Sequence, residues 1–340
     1  MDAGEAQETS AQSTYTFNAP LVDSGSSSDG DSALGSGASI SASTAVSSRI
    51  YEFRLEHGRR YHALHSDAEY NLPNDEEEMD RLDLQHHLFR LTLDGALYKA
   101  PLPPDVHHVL DVGTGSGIWA LDFAEEHPSA AVIGTDLSPV QLPHAPPNLR
   151  FYVENVEQDW NFDHDFDMIH ARMLVVALKD WPNFFRQAFA HLKPGGWLEM
   201  QDLLSPMPRC DDNSAPPDSP LMVWAQLMRM ASQRTGIDLE AANRFPQLMR
   251  AAGFVDVQVQ TEIWPLNRWP MDEKMKERGK WASENLTMGV EGISMGFFTK
   301  VLGWSEADVK ELVDQVQAQI RDRSNHTYMP VVFVWARKPE

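Results

Sequence analysis

The 340-residue chain is 42% hydrophobic and holds 10 Trp and 15 Phe, enough apolar material for one large core or two modest ones. Its 28 Lys and Arg against 50 Asp and Glu give a net charge of −22, which opposes binding to nucleic-acid phosphates or to an anionic membrane, so neither is expected as a partner. The single cysteine, Cys210, excludes an internal disulfide and any metal or iron–sulfur site built from a cysteine cluster.

Residues 1–48 contain no Lys or Arg and are rich in Ser, Gly and acids. Such a segment cannot bury enough surface to offset its chain entropy, and it is expected to be a disordered tail ahead of one folded domain at 49–340. No apolar run approaches the roughly 20 residues of a spanning helix and no secretory leader is legible, so an intracellular location, cytoplasmic or nuclear, is expected.

Asn74 and Asp75 offer helix caps ahead of the acidic turn at 76–78, and Met79, Leu82, His86, Phe89 and Leu93 recur at helical spacing up to Gly95. A short apolar strand at 107–112 then meets a glycine turn at 113–117 and a helix at 118–126. Further strands are predicted at 131–134, 149–153, 166–170 and 197–202, with a helix at 181–192 that runs into Lys193-Pro194-Gly195-Gly196. After Asp202 the alternation breaks. Helices are predicted at 221–234 and 245–252, a strand through Val255, Val257 and Val259, mostly helix over 265–325, and a last strand at 330–336. The expected architecture is an α/β, Rossmann-like, doubly wound sheet of seven strands, with helical insertions at about 205–249 and 265–329 forming a lid.

The glycine turn, Asp111-Val112-Gly113-Thr114-Gly115-Ser116-Gly117, lies at a strand-to-helix switch, where open parallel sheets bind ligands. Gly115, Gly117 and Ala120 also satisfy the dinucleotide fingerprint, which keeps an NAD-dependent oxidoreductase as a rival. Asp111 discriminates: a carboxylate at that strand end would repel a pyrophosphate but suits a ligand ammonium, which favours a nucleoside bearing an amino acid. Asp136, at the end of the second strand, is placed to accept from two ribose hydroxyls in either case.

This set, with Asn155 after the third strand and Leu192-Lys193-Pro194-Gly195-Gly196-Trp197 before the fifth, resembles class I S-adenosylmethionine-dependent methyltransferases. More narrowly, the chain resembles the fungal LaeA-type group through Tyr70-Asn71-Leu72-Pro73-Asn74-Asp75-Glu76, Arg81-Leu82-Asp83-Leu84-Gln85-His86-His87, Gly117-Ile118-Trp119-Ala120 and Asp136-Leu137-Ser138-Pro139, over most of residues 50–340. The resemblance implies S-adenosyl-L-methionine as cofactor. It places Gly113, Thr114, Gly115 and Gly117 around it, Asp111 or nearby backbone at its ammonium, Asp136 at the ribose and Leu137 on the adenine face. Asn155 and its neighbour Val156 would meet the adenine edge; Asn155 stands where many relatives have Asp and keeps only a carbonyl acceptor for the amino group. His170 and Arg172 would face the methionine end or the substrate.

Other polar residues have plainer readings. His86 is expected to pack and His87 to face solvent; adjacent histidines point to different helix faces, against a shared metal site. Strand alternation puts Glu199 and Asp202 on opposite faces, so at most one lines the site, with Asp202 favoured. Tyr70 and Asn74 are candidates for a lid, Asn74 equally for a helix cap. Trp264, Trp269, Trp281, Phe297, Phe298 and Trp304 read as core more readily than as a substrate box.

Methyl transfer is an in-line displacement that requires alignment and exclusion of water; a base is optional, and no catalytic residue is assigned. The expected function is methylation of a small-molecule acceptor in fungal secondary metabolism. The alternative is a nuclear regulatory subunit of the same family that works through a regulatory protein partner.

Overall fold

The computed structural model describes residues 53–62, 72–140, 142 and 144–340. The expected tail at 1–48 and the lid candidate Tyr70 lie outside them. The described residues open with an antiparallel hairpin, β1 (Phe53–Glu56) and β2 (Arg59–His62), followed by α1 (Glu76–Thr92). Asp75 caps α1 by accepting the Glu78 N–H at 3.1 Å, whereas Asn74 reaches out to Ser138 Oγ at 3.0 Å.

Strand β3 (His108–Val112), helix α2 (Ile118–Glu126), β4 (Ala131–Asp136), β5 (Leu149–Val153) and β6 (Phe166–Arg172) follow. Then come α3 (Trp181–His191), β7 (Leu192–Leu203), α4 (Pro220–Thr235), a 3-10 turn at Ala241–Arg244, α5 (Phe245–Ala252) and β8 (Val255–Pro265). The chain ends with α6 (Glu273–Lys300), α7 (Glu306–Arg321) and β9 (Tyr328–Arg337).

The main sheet has seven strands in the order β5-β4-β3-β6-β7-β9-β8. The first five are parallel, as strands joined through helices or long crossovers must be. Strand β9 departs from the parallel expectation and runs antiparallel to both neighbours. The reason lies in its connection: α6 and α7 form a helical excursion that returns the chain to the end where β8 stopped, with Tyr328 opposite Pro265, so β9 must run back.

Alternating side chains of β9 feed two cores. Val332 and Val334 join Leu198, Met200, Phe184, Phe185 and Phe245 under α3 and α5. Val331 and Phe333 join Phe89, Trp224, Trp264, Val290 and Phe298 under α1, α4, α6 and α7. The second core is the helical cap that the insertions build. Helix α5 and the 3-10 turn before it belong instead to the sheet's flank, so the first insertion contributes α4 and the stretch through Leu239 to the cap, not its whole length.

Candidate functional site

The glycine turn closes β3 and opens α2 with left-handed backbone at Gly113, Gly115 and Gly117, φ +66°, +59° and +84°. A side chain there would be strained, and it would also collide: a Cβ on Gly113 would lie 2.5 Å from Leu174 Cδ2, and one on Gly115 2.9 Å from Leu82 Cδ1. The turn is thus clamped between the β6 exit and α1, and these walls enclose a cavity of about 740 Å³.

Of the sequence-predicted residues, Asp111, Gly113, Thr114, Gly115, Asp136, Leu137, Asn155, Val156, His170 and Arg172 all line this cavity. Gly117 does not. Its left-handed turn starts α2 and packs near Phe151 and Val140, so it shapes the loop from behind.

Asp136 receives the Gly115 N–H on Oδ2 at 2.9 Å and the Ser138 N–H on Oδ1 at 3.0 Å, and burial pushes its carboxyl up to about 6. Asp111 is buried and both its oxygens are engaged: Thr114 Oγ1 donates to Oδ2 at 2.5 Å, and His170 Nδ1 bonds Oδ1 at 2.7 Å. The His170 ring lies flat on Trp119, 3.7 Å between centroids and 3° between planes, and burial lowers its pKa, which keeps it neutral. Nδ1 therefore carries the proton and Asp111 accepts it. Asp111 and His170 brace the floor of the loop.

Two expected roles change. Asn155 Oδ1, expected to serve as an acceptor for an adenine amino group, takes the N–H of Glu157 at 3.0 Å and locks its own turn. Neither Glu199 nor Asp202 lines the cavity. Glu199 accepts from the Lys99 and Ala100 N–H groups and from Gln201 Nε2, pinning the segment before β3 to β7. Asp202 accepts the N–H groups of Leu174 and Val175 at 2.8 and 3.1 Å. It holds in place the stretch after β6 that begins with Met173, a non-glycine in left-handed conformation, φ +57°, and that forms one cavity wall. Burial pushes both carboxyls up to about 7.

Away from the glycine turn the cavity becomes an apolar chamber, walled by Met173, Val176, Leu203, Trp224, Met228, Trp264, Leu286 and Met329. The indole N–H groups of both tryptophans are satisfied within the wall, Trp224 by Ser294 Oγ at 2.7 Å and Trp264 by Thr92 Oγ1 at 2.8 Å. Of the six aromatics singled out in the second insertion, Trp264 alone lines the cavity; Trp269, Phe297 and Phe298 are buried. One rim of the chamber carries a buried bidentate pair, Arg81 to Glu78, extended by Arg81 Nη1 to Asn285 Oδ1 at 2.7 Å.

Sequence reasoning missed Trp224, Asp83 and the β1–β2 hairpin, whose Phe53 and Arg60 also line the cavity. The hairpin had a signal: two four-residue strands flank a two-residue turn, His57-Gly58, both at positive φ.

Residues 84–259 match the sequence family described as a methyltransferase domain. The chain is 39% identical over 300 residues to "Methyltransferase pytC" of Aspergillus terreus, covering 88% of this chain and 92% of the relative. It is 38% identical to "Secondary metabolism regulator LAE1" of Cochliobolus heterostrophus, covering 84% and 95%. With "Protein-methionine methyltransferase laeA" of Emericella nidulans it shares 33% identity, over 88% and 80%.

The chain belongs to the LaeA-type methyltransferase family. It is an S-adenosylmethionine-dependent methyltransferase. Its residues fit that cofactor. Asp136 presents a carboxylate to the cavity from the tip of β4, the position suited to two ribose hydroxyls, and the bare glycine backbone beside it admits a close-lying ligand. Leu137 and Val156 line the same cavity, where they would offer apolar contacts to a bound base. The expected fold, family and cofactor agree with these findings.

Proposed function

We propose that this methyltransferase acts on a small, largely apolar molecule of secondary metabolism. The carrying observation is that the cofactor end of the cavity runs without a break into a chamber walled by tryptophan, methionine and leucine side chains. Such a lining suits a compact apolar guest, and the cavity volume falls within the roughly 300–1,000 Å³ usual for small-molecule sites. The setting in secondary metabolism is supported by a relative named as a secondary metabolism regulator, and the methyl-transfer activity by one named as a methyltransferase.

The cofactor, when bound, supplies an electrophilic methyl group. The chain's part is to hold nucleophile and methyl in line and to keep water out, tasks that fall to the chamber walls and to the hairpin pinned over the cavity by Arg59 on Asp75 at 2.6 Å. A second reading, a regulator that modifies or binds protein partners, is supported by the relatives named as regulators and as a protein-methionine methyltransferase.

Incubation with methyl-labelled cofactor and a lysate of the source cells separates the two. Label in the organic extract, lost on Trp224→Ala, supports the small-molecule reading; label confined to protein supports the second.

A further inference from the structure

The strand tips give the cavity a direction. Asp136 closes β4, the glycine turn closes β3 and Arg172 closes β6, and these strands are neighbours in that order. With the ribose at Asp136, Arg172 lies on the far side of the glycine turn, where the cavity opens into the apolar chamber.

Arg172 is held without being neutralised. Its guanidinium lies over the Phe89 ring, 4.8 Å from the centroid, and Nη1 donates to His86 Nδ1 at 3.1 Å. That geometry makes Nδ1 the acceptor, so His86 Nε2 carries the proton and donates to Asp122 Oδ2 at 3.0 Å. Among the described residues no carboxylate forms an ion pair with Arg172, although Asp83, Asp111 and Asp122 all lie near enough to act on it electrostatically.

Asp83 sits one helical turn before His86 on α1, and residues three apart on a helix share a face. It lies beside Ser116 of the glycine turn and lines the same cavity as Arg172. The two opposite charges share a stretch of wall and do not pair with one another. Burial raises the Asp83 carboxyl above its ordinary value.

We propose that the acceptor carries a hydroxyl on an apolar body, and that Arg172 and Asp83 receive this hydroxyl. This rests on the small-molecule reading above. Arg172 N–H donates to the acceptor oxygen, and the Asp83 carboxylate takes the hydroxyl proton as the oxygen–methyl bond forms and the sulfur–methyl bond breaks, the bonding pair staying on sulfur. The apolar body fills the chamber between Trp224 and Trp264.

The test uses protein loaded with S-adenosylhomocysteine and two probes, 2-naphthol and its methyl ether 2-methoxynaphthalene, followed by tryptophan fluorescence. A buried hydrogen bond to a charged group predicts that the naphthol binds about tenfold tighter than the ether, or more. Asp83→Asn and Arg172→Gln are each expected to bring that ratio to about threefold or less, while Arg172→Lys, which keeps a donor, retains part of it. Thermal melting shows that the variants are folded. A ratio near one in the wild type, or a ratio unchanged in both variants, overturns the proposal. So does an Arg172→Gln variant that loses affinity for S-adenosylhomocysteine itself, since the guanidinium then serves the cofactor. If neither naphthalene binds at all, the small-molecule reading beneath the proposal falls as well.

Discussion

Asp111 and His170 stand opposite each other in the register of β3 and β6 and are joined side chain to side chain at 2.7 Å. The strand that launches the glycine turn and the strand that presents Arg172 are therefore locked at the level where the cofactor site begins. Replacing Asp111 by Ala strands His170 Nδ1 and Thr114 Oγ1 in a buried place. The expected cost is on the order of 3 kcal/mol, with Asp111→Asn costing less than half of that, as read by denaturant unfolding. Equal costs for the two variants would show that the bonds contribute little.

A ribose held by Asp136 is expected to make cofactor binding pH-dependent. Its folded pKa is about 6, and only the ionised carboxylate can accept both ribose hydroxyls. Affinity for S-adenosylhomocysteine should be level above about pH 7 and fall about tenfold per pH unit below 6. Titrations at three pH values with wild type and Asp136→Asn check this; the Asn variant should show weak, pH-flat binding.

Glu199 works in the opposite sense on stability. Its pKa, about 7 in the folded protein against 4.5 as the ordinary value, is raised, so its contribution is fully present below the ordinary value and is lost as pH rises through 7. Glu199→Gln removes that titration. Between pH 4.5 and 8 the variant should gain about 3 kcal/mol relative to the wild type. A stability difference that stays constant with pH would mean that Glu199 titrates normally.

Two glycines with nearly the same backbone separate strain from collision. Gly303 has φ +74° and open space where a Cβ would stand, while Gly113 has φ +66° and Leu174 in the way. Gly303→Ala should cost about 1 kcal/mol and leave cofactor affinity unchanged. Gly113→Ala should cost at least about 1 kcal/mol more and weaken S-adenosylhomocysteine binding severely. Matching effects in melting and titration experiments would sink the clamp described for the glycine turn.

The Glu78–Arg81 pair on the chamber rim is buried on both sides. Arg81→Met leaves Glu78 charged and unpaired, at a cost of about 3–5 kcal/mol, whereas the double change Arg81→Met with Glu78→Gln should recover most of it. A double-mutant cycle in chemical unfolding measures the coupling.

Much of this was written in the sequence. The strands at β3, β5 and β6, the helices at α2 and α5 and the glycine turn were legible because each is short, apolar at the right period and bounded by its own stop signals. Ten of the eleven expected cofactor residues line one cavity because a strand-to-helix switch fixes where its neighbours' tips must lie. What escaped was decided by tertiary partners. Nothing local in Glu199 or Asp202 says that their carboxylates close on backbone N–H groups about 100 and 28 residues distant, rather than on a ligand. Trp224 reaches the cavity only because α4, α6 and α7 pack as one cap over α1. The hairpin hid among charges, its two-residue turn outweighed by the polarity around it.

The most direct test of the account is a calorimetric titration of the protein and of Asp136→Ala with S-adenosylhomocysteine, with NADH as control. The account predicts micromolar binding by the wild type, a loss of at least about tenfold in the variant, and no heat from NADH. Absence of binding by the wild type, or equal binding by the variant, would contradict a cofactor seated between the glycine turn and the tip of β4.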